Sequence, residues 1–468
     1  MAHVEELMSI RKRIIELIIF AAKFNKPAIA MKVMKFGGTS VGKPERMAEI
    51  RKLITKENEP KIIVLSALSG TTNALTEISD ALSKGERADA KTRIDALEKH
   101  YQEFIFKLVK KEKDFQKAKE VIAEHFEFLN IILKISYSEA LNKDILAQGE
   151  LLSTKLFSIY LHEQDIPHVW LAALDFMSID TFGEPQIESI KIKLTKLLEA
   201  NQGTNLFVTQ GYICRNSRGE VDNLKRGGSD YSASLIAAAV QASVCEIWTD
   251  IDGMHNNDPR IVNNTRPIAH LCFDEAAELA YFGAKILHPA SIWPAQYYNF
   301  PVRLLNTMDP EATGTLIESQ SDSEGVKAIA AKDSITAIKI KSSRMLLAYG
   351  FLRKIFEVFE KYQTSIDMIT TSEVTVSLTI DNSSFLEEII KELEMFGSIE
   401  VDHNQTIVSI VGYHISKTEN LLSKVFDSLT EIPVRMVSFG GSEHNISILI
   451  SHEYKEKTLQ LLNKGLFE

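Results

Sequence analysis

The sequence predicts an α/β protein, a layered domain with a largely parallel central sheet followed by two small ferredoxin-like βαββαβ modules. From Met31 onward, short apolar strand candidates alternate with stretches of helical periodicity, the pattern of parallel strands joined by crossover helices. The texture changes at Glu318-Ser319-Gln320-Ser321-Asp322-Ser323-Glu324-Gly325, a polar run that reads as a linker. Beyond it the chain repeats itself at an offset of seventy residues. Thr371-Ser372-Glu373 followed by Val376-Ser377-Leu378-Thr379-Ile380 matches Gly441-Ser442-Glu443 followed by Ile446-Ser447-Ile448-Leu449-Ile450, and Ile355, Phe356 and Phe359 match Val425, Phe426 and Leu429. The expected divisions are an N-terminal extension at 1–30, a larger domain at 31–318, and modules at 326–400 and 401–468.

At 468 residues the chain has room for two or three domains, each with its own core. Its net charge of −10, with no long basic stretch, argues against nucleic acid as the main partner. Ile14 to Ala22 is apolar but interrupted by Glu16 and far too short to span a bilayer. Residues 1–30 therefore read as a helical extension, or as an upstream segment if Met31, which opens directly into the first strand, is the natural start. Cys214, Cys245 and Cys272 lie in mainly apolar stretches without C-x-x-C spacing, as reduced core thiols of a cytoplasmic protein do.

The first element is Val33-Met34-Lys35-Phe36-Gly37-Gly38-Thr39-Ser40-Val41-Gly42-Lys43, an apolar run that meets glycines and hydroxyls before an amphipathic stretch from Arg46 to Ile54. Strand, tight turn and helix N-terminus make a phosphate cradle: glycine backbone approaches a ligand closely, and the first helical amides favour an anion. Gly37 to Lys43 nearly spells a Walker A loop, but Pro44 stands where that motif needs a hydroxyl. Lys61 to Leu65 is a second strand, with small and hydroxylated residues, Ser66 to Asn73, at the end where ligands bind in open α/β sheets. Residues 74–135 carry helical spacing (Leu97, Tyr101, Phe104, Ile105, Leu108) and form a helical excursion. Leu146-Ala147-Gln148-Gly149-Glu150 leads into another helix, Val169 to Leu171 and Leu206 to Gly211 are further strands, and Glu246 to Asp250 follows an apolar helix from Ala233 to Ala242.

Three clusters carry candidate chemistry. Leu224-Lys225-Arg226-Gly227-Gly228-Ser229-Asp230 precedes the apolar helix; Ser229 is placed to cap it, and the planar fork of Arg226 suits a carboxylate or phosphate. Trp248-Thr249-Asp250-Ile251-Asp252-Gly253, followed by Asp258-Pro259-Arg260, ends a strand in turn residues that face a nucleotide or merely shape a turn. Gly283-Ala284-Lys285-Ile286-Leu287-His288 places a lysine after a glycine, and His288 reads as structural. No H-E-x-x-H, Cys/His cluster or nucleophile elbow occurs, so metalloprotease and serine-hydrolase chemistry have no support, and no protein metal site is expected.

KFGGTSVG at 35–42, RGGSDYSA at 226–233, WTDIDG at 248–253, DPR at 258–260 and GAKILHPA at 283–290 resemble, in order, the motifs of the aspartokinases of the amino-acid kinase family, and the two repeats look like that family's paired ACT domains. The resemblance runs from about Met31 to the C-terminus and implies a three-layer αβα catalytic fold. It implies transfer of the γ-phosphoryl of MgATP to the β-carboxylate of L-aspartate, the first step towards lysine, threonine and methionine. An aspartate side chain titrating near ~3.9 is already an anion at neutral pH, so the site needs charge cancellation and positioning rather than a general base. By resemblance, Lys35 and Lys285 hold phosphates, Gly37, Gly38 and Thr39 cradle them, and Asp230 orients Lys35. Arg226 takes the α-carboxylate of aspartate, Glu150 its ammonium, and Ser66, Thr72, Gly227, Gly228 and Ser229 complete the pocket. Thr249, Asp250, His255, Asp258, Arg260 and Ile286 line the ATP side, with Mg2+ held mainly by the nucleotide. Two departures stand out: Lys225 where the family has glycine, and His255 where many members have tyrosine.

The first repeat resembles the effector pocket of lysine-inhibited members in Met345, Phe351, Leu352, Ser365, Asp367, Thr371, Ser372 and Glu373. Asp367 is expected to bind an amine and the Gly350–Leu352 backbone a carboxylate, with lysine the effector or threonine in its place, and with dimers or tetramers formed through the ACT domains. The chain reaches Glu468 just after the second repeat, so no fused homoserine dehydrogenase is expected. Other classes remain: a relative acting on another acid, a P-loop ATPase, which Pro44 contradicts, and a non-catalytic amino-acid sensor, which has no use for Lys35, Arg226, Asp230 and Lys285 together.

Overall fold

A computed structural model describes residues 31–224, 227–283, 287–320, 323–345 and 349–468. The chain divides into two compact units, Met1–Trp248 and Thr249–Glu468.

In the first unit, β1 (Lys32–Phe36), β2 (Lys61–Leu65), β3 (Val169–Leu171), β4 (Leu206–Gln210) and β7 (Val244–Thr249) lie in the order β3-β4-β2-β1-β7, all parallel. A short antiparallel pair, β5 (Ile213–Arg215) and β6 (Val221–Asn223), stands apart from this order. The central strands are covered on both faces, which is why KIIVL and LFVTQ are buried along their whole length instead of alternating. Helix Gly228–Val240 packs on β1 and on helix Ile187–Ala200, and its run of alanine and serine lets the backbones approach closely. The helical excursion resolves into Thr71–Ser83, Arg87–Leu108 and Glu112–Ile132, followed by Glu139–Glu163, which Ser138 caps through the Leu141 amide at 3.2 Å. Among the described residues no helix is long and apolar enough to cross a membrane.

The second unit begins with β8 (His270–Cys272), β9 (Val302–Asn306) and β10 (Thr315–Glu318); β10 pairs parallel with β8 and antiparallel with β9. The repeats follow as one antiparallel sheet in the order β12-β13-β11-β14-β16-β15. Here β11 is Gly325–Lys341, β12 Ile369–Thr371, β13 Thr375–Ile380, β14 Ser398–Tyr413, β15 Val434–Phe439 and β16 Asn445–Ser451. Each repeat contributes two helices, Phe351–Lys361 and Leu386–Leu393, then Leu421–Ser428 and Lys455–Phe467. The modules are nested. Ile329, early in β11, packs with Val408 and Ile448 in one core, whereas Ile338 and Ile340 of the same strand pack with Phe351, Leu378 and Ile389 in the other. The register shifts between Lys332 and Ile335, where Ser334 adopts φ +61° and the strand passes from one module to the next.

Candidate active site

The loop expected to cradle phosphates stands at the C-terminal ends of β1 and β2. Lys35 is almost buried and forms an ion pair with Asp230, in the first turn of helix Gly228–Val240. A side chain on Gly37 would begin 3.4 Å from the Lys35 ammonium, in ordinary van der Waals contact with it. Gly38 and Gly42 let the turn lie on the loop after β2: a side chain there would meet the Ala67 carbonyl at 3.1 Å and Ser69 at 2.7 Å. Arg46 holds the turn from behind by donating to the Thr39 carbonyl. Residues 38–41 form one helical turn, and the longer helix starts separately at Pro44, so Lys43 is exposed in front of it.

Glu150 is among the residues expected on the substrate side. Its carboxyl group is buried, Oε1 accepts from the Ala67 amide at 3.4 Å, and Oε2 has no hydrogen-bond partner. Burial without a counter-ion pushes this carboxyl up to about 8. Gly149 makes the placement possible, since a side chain there would meet Ala67 at 2.8 Å. Ser66 is half-buried, its amide bonded to the Phe36 carbonyl at 3.2 Å and its carbonyl to the Ser153 hydroxyl at 2.8 Å. Thr72 is exposed, while neighbouring Thr71 is turned inward onto the Tyr101 hydroxyl at 3.0 Å. Gly227 and Gly228 take φ of +75° and +49°, and Ser229 is buried against Gly211, where any side chain would collide with it. Lys225 and Arg226 lie outside the described residues.

The nucleotide-side candidates belong to the second unit. The Thr249 hydroxyl donates to Asp250 at 3.2 Å, and its carbonyl accepts from the Thr307 amide at 2.8 Å. His255 bridges Asp252 at 2.8 Å and Thr265 at 3.1 Å. Asp258 holds the exposed Arg260 guanidinium in a two-bond fork at 2.9 and 2.7 Å, and that partner lowers the Asp258 carboxyl below its ordinary range. Lys285 and Ile286 lie outside the described residues, and His288 caps helix Pro289–Tyr298 by accepting from the Ala290 amide at 3.1 Å.

The model of the amino acid kinase family matches residues 30–306, and that of the ACT domain matches 408–466. The lysine-sensitive aspartokinase 3 of Escherichia coli (strain K12) is 34% identical over 450 residues, covering 93% of this chain and 99% of that protein. The chain belongs to the amino acid kinase family, as an aspartokinase. Aspartokinase 3, chloroplastic, of Arabidopsis thaliana is 36% identical over 466 residues, 93% of this chain and 81% of that one. The crystal structure of E. coli aspartokinase III with aspartate and ADP in the R-state has a TM-score of 0.82 at 32% identity and covers 94% of this chain and all of that one. The T-state structure with lysine and aspartate has a TM-score of 0.77.

In this aspartokinase the candidate effector residues divide by burial. Phe351 is buried in the first module's core, Met345 packs against that core, and Leu352, Ser365, Thr371, Ser372 and Glu373 are exposed. The Asp367 side chain is fully buried, with Oδ1 taking Lys332 and the Tyr281 hydroxyl at 2.7 Å each and Oδ2 without a partner. Burial raises its carboxyl despite the ammonium beside it. Sequence reasoning passed over Lys332 and Tyr281. It also missed Asn256 and Asn257, which fix the turn before Asp258 through Arg266 at 2.6 Å and the Leu459 carbonyl at 3.2 Å. Cys272, Asp274 and His444 bring ligand-type atoms within 4.8 Å of one another, but at a helix N-terminus, whose dipole disfavours a cation.

Proposed function

We propose that this aspartokinase binds L-aspartate by its ammonium at Glu150 and holds the transferring phosphoryl with Lys35, Lys285 and the amides of Gly37 to Thr39. The observation that carries the proposal is the unpartnered Glu150 Oε2: a buried carboxylate oxygen with nothing bonded to it is costly unless a ligand supplies the donor. In transfer, the bond from the γ-phosphorus to the β,γ-bridging oxygen of ATP breaks as a β-carboxylate oxygen of aspartate takes its place, giving ADP and 4-phospho-L-aspartate. Asp230 holds the Lys35 ammonium at the end of β1, so the charge is fixed before the anions arrive. Arg226 is assigned the α-carboxylate, with Ser66, Thr72 and Ser229 around it. Thr249, Asp250, His255, Asp258 and Arg260 are assigned the nucleotide.

Asp230 and Asp258 each face a cation, Lys35 and Arg260, which suits a Mg2+ carried in on the phosphates better than a carboxylate-bound one. That ion would neutralise charge on the phosphates. Lysine is the proposed effector, supported by the named sensitivity of the E. coli relative, with Asp367 receiving an amine. Exposed Phe356, Phe426 and Phe439 on the repeats suit assembly of chains through the modules, and the buried free cysteines suit the cytoplasm.

The test is aspartate-dependent ADP release with the acyl phosphate trapped by hydroxylamine. Lys35→Ala is expected to lower kcat by at least about 10³-fold with an unchanged unfolding transition. Near-normal turnover in that variant would overturn the assignment.

A further inference from the structure

Three consecutive residues of β11 reach in three directions at the point where the strand changes module. The Ala331 carbonyl occupies the place a side chain on Gly283 would take, and Gly283 itself has φ +130°. Lys332 bonds Asp367 at 2.7 Å and Asp381 at 2.8 Å, and Asp333 bonds Lys455 at 2.5 Å and the Thr406 hydroxyl at 3.0 Å. Tyr281, the last residue of helix Phe273–Tyr281, completes the group. Its hydroxyl donates to Asp367 at 2.7 Å, and the Lys332 ammonium lies 4.3 Å from its ring centre.

We propose that Tyr281 is the relay through which an amine effector at Asp367 acts on the kinase, and that Lys332 is the chain's own occupant of that amine site. The proposal rests on the regulatory reading given above. The Asp367 Oδ1 already takes two donors, and a ligand ammonium would bring a second full positive charge to one buried carboxylate. Two ammoniums a few ångströms apart in a dry site repel, so ligand and Lys332 compete. Lys332 loses little by leaving, because the partly exposed Asp381 already holds it. Tyr281 loses more: its charge-assisted hydrogen bond and the cation over its ring go together. Both losses fall on the helix end two residues before the Gly283 turn and four before Lys285 in sequence. Effector occupancy thus changes how firmly the helix end at Tyr281, just before the Gly283 turn, is anchored.

The test compares the full-length wild type with Tyr281→Phe and Lys332→Met, measuring lysine and threonine binding by calorimetry and inhibition of turnover. Tyr281→Phe, which lacks the anchoring hydroxyl from the start, is expected to bind effector at least as tightly and to turn over more slowly without effector, so that saturating effector inhibits it at least about 5-fold less. Lys332→Met is expected to bind effector about 10-fold more tightly, because the competing amine is gone. Full inhibition of Tyr281→Phe at saturation, or loss of its effector binding, would overturn the relay while leaving the regulatory reading intact. Unchanged affinity in Lys332→Met would remove the competition. A wild type that responds to neither amino acid overturns the relay and the regulatory reading together.

Discussion

Glu150 and Asp367 are both buried carboxylates with one oxygen unpartnered, yet their surroundings differ in one respect. Glu150 has a single backbone amide at 3.4 Å and a carboxyl pushed up to about 8 by burial. Asp367 has an ammonium and a phenol at 2.7 Å, and its carboxyl is raised against the pull of that cation. On the proposed reading the first is an amine receptor kept open, whose cost is met when the substrate arrives. On the same reading the second is an amine receptor that already holds the chain's own ammonium, which an arriving ligand ammonium repels. A catalytic pocket gains from the open design because every arrival is productive. A regulatory pocket gains from the filled one because displacement is a signal.

The sharpest way to break this comparison is Glu150→Gln. An amide in this place cannot ionise to meet the substrate's ammonium, so KM for aspartate is expected to rise by about 10²-fold or more, with a smaller change in kcat at saturation, in the hydroxamate assay. The same variant tests the linkage. A carboxyl raised from 4.5 to about 8 in the folded chain contributes stability that is present below the unfolded value and is lost as pH rises through about 8. The unfolding free energy of the wild type from urea titration should therefore fall from pH 5 to pH 9 relative to Glu150→Gln, by on the order of a few kcal/mol. Parallel curves would mean that Glu150 is paired in solution.

Next in size, Asp367→Asn is expected to abolish the effector response while changing stability by no more than about 1–2 kcal/mol, since Lys332 keeps Asp381. Inhibition curves and denaturation midpoints on the same samples check both halves. The smallest effect concerns the turn into the first module's helix. Gly350 caps it at φ +76°, and its counterpart Asn420 caps the second module's helix at φ +60°. Gly350→Ala should cost about 1 kcal/mol in thermal unfolding, and a neutral result would mean that the turn relaxes.

The catalytic fold was legible because covered parallel strands read as unbroken apolar runs, as in KIIVL and LFVTQ. The repeats were legible because helix-facing positions such as Ile355 and Val425, both fully buried, recur at a fixed offset. The nesting of the modules was not legible, since nothing local marks a strand of seventeen residues that serves two cores. Asp333 and Ser334, at its bulge, belong to no motif in the sequence. Lys35 was picked out by its neighbours Gly37 and Gly38, whereas Lys332 sits in a strand with no such flag. Asn257 shows the same blindness: a buried amide gripping a helix two hundred residues away leaves no periodic trace. Seventy residues after Asp367 the second repeat has Val437, so fold recurs where ligand chemistry does not.

The bulge in β11 has a further consequence. Lys332 pairs with Ile407 and Ile335 with Gln405, so the two ends of the inserted module stand side by side on adjacent strands. The first module is therefore a cassette plugged into the second through a pair of neighbouring wires. A chain in which residues 334–404 are replaced by a tight two-residue hairpin would retain every strand of the outer module, whereas cutting at residue 400 would split it.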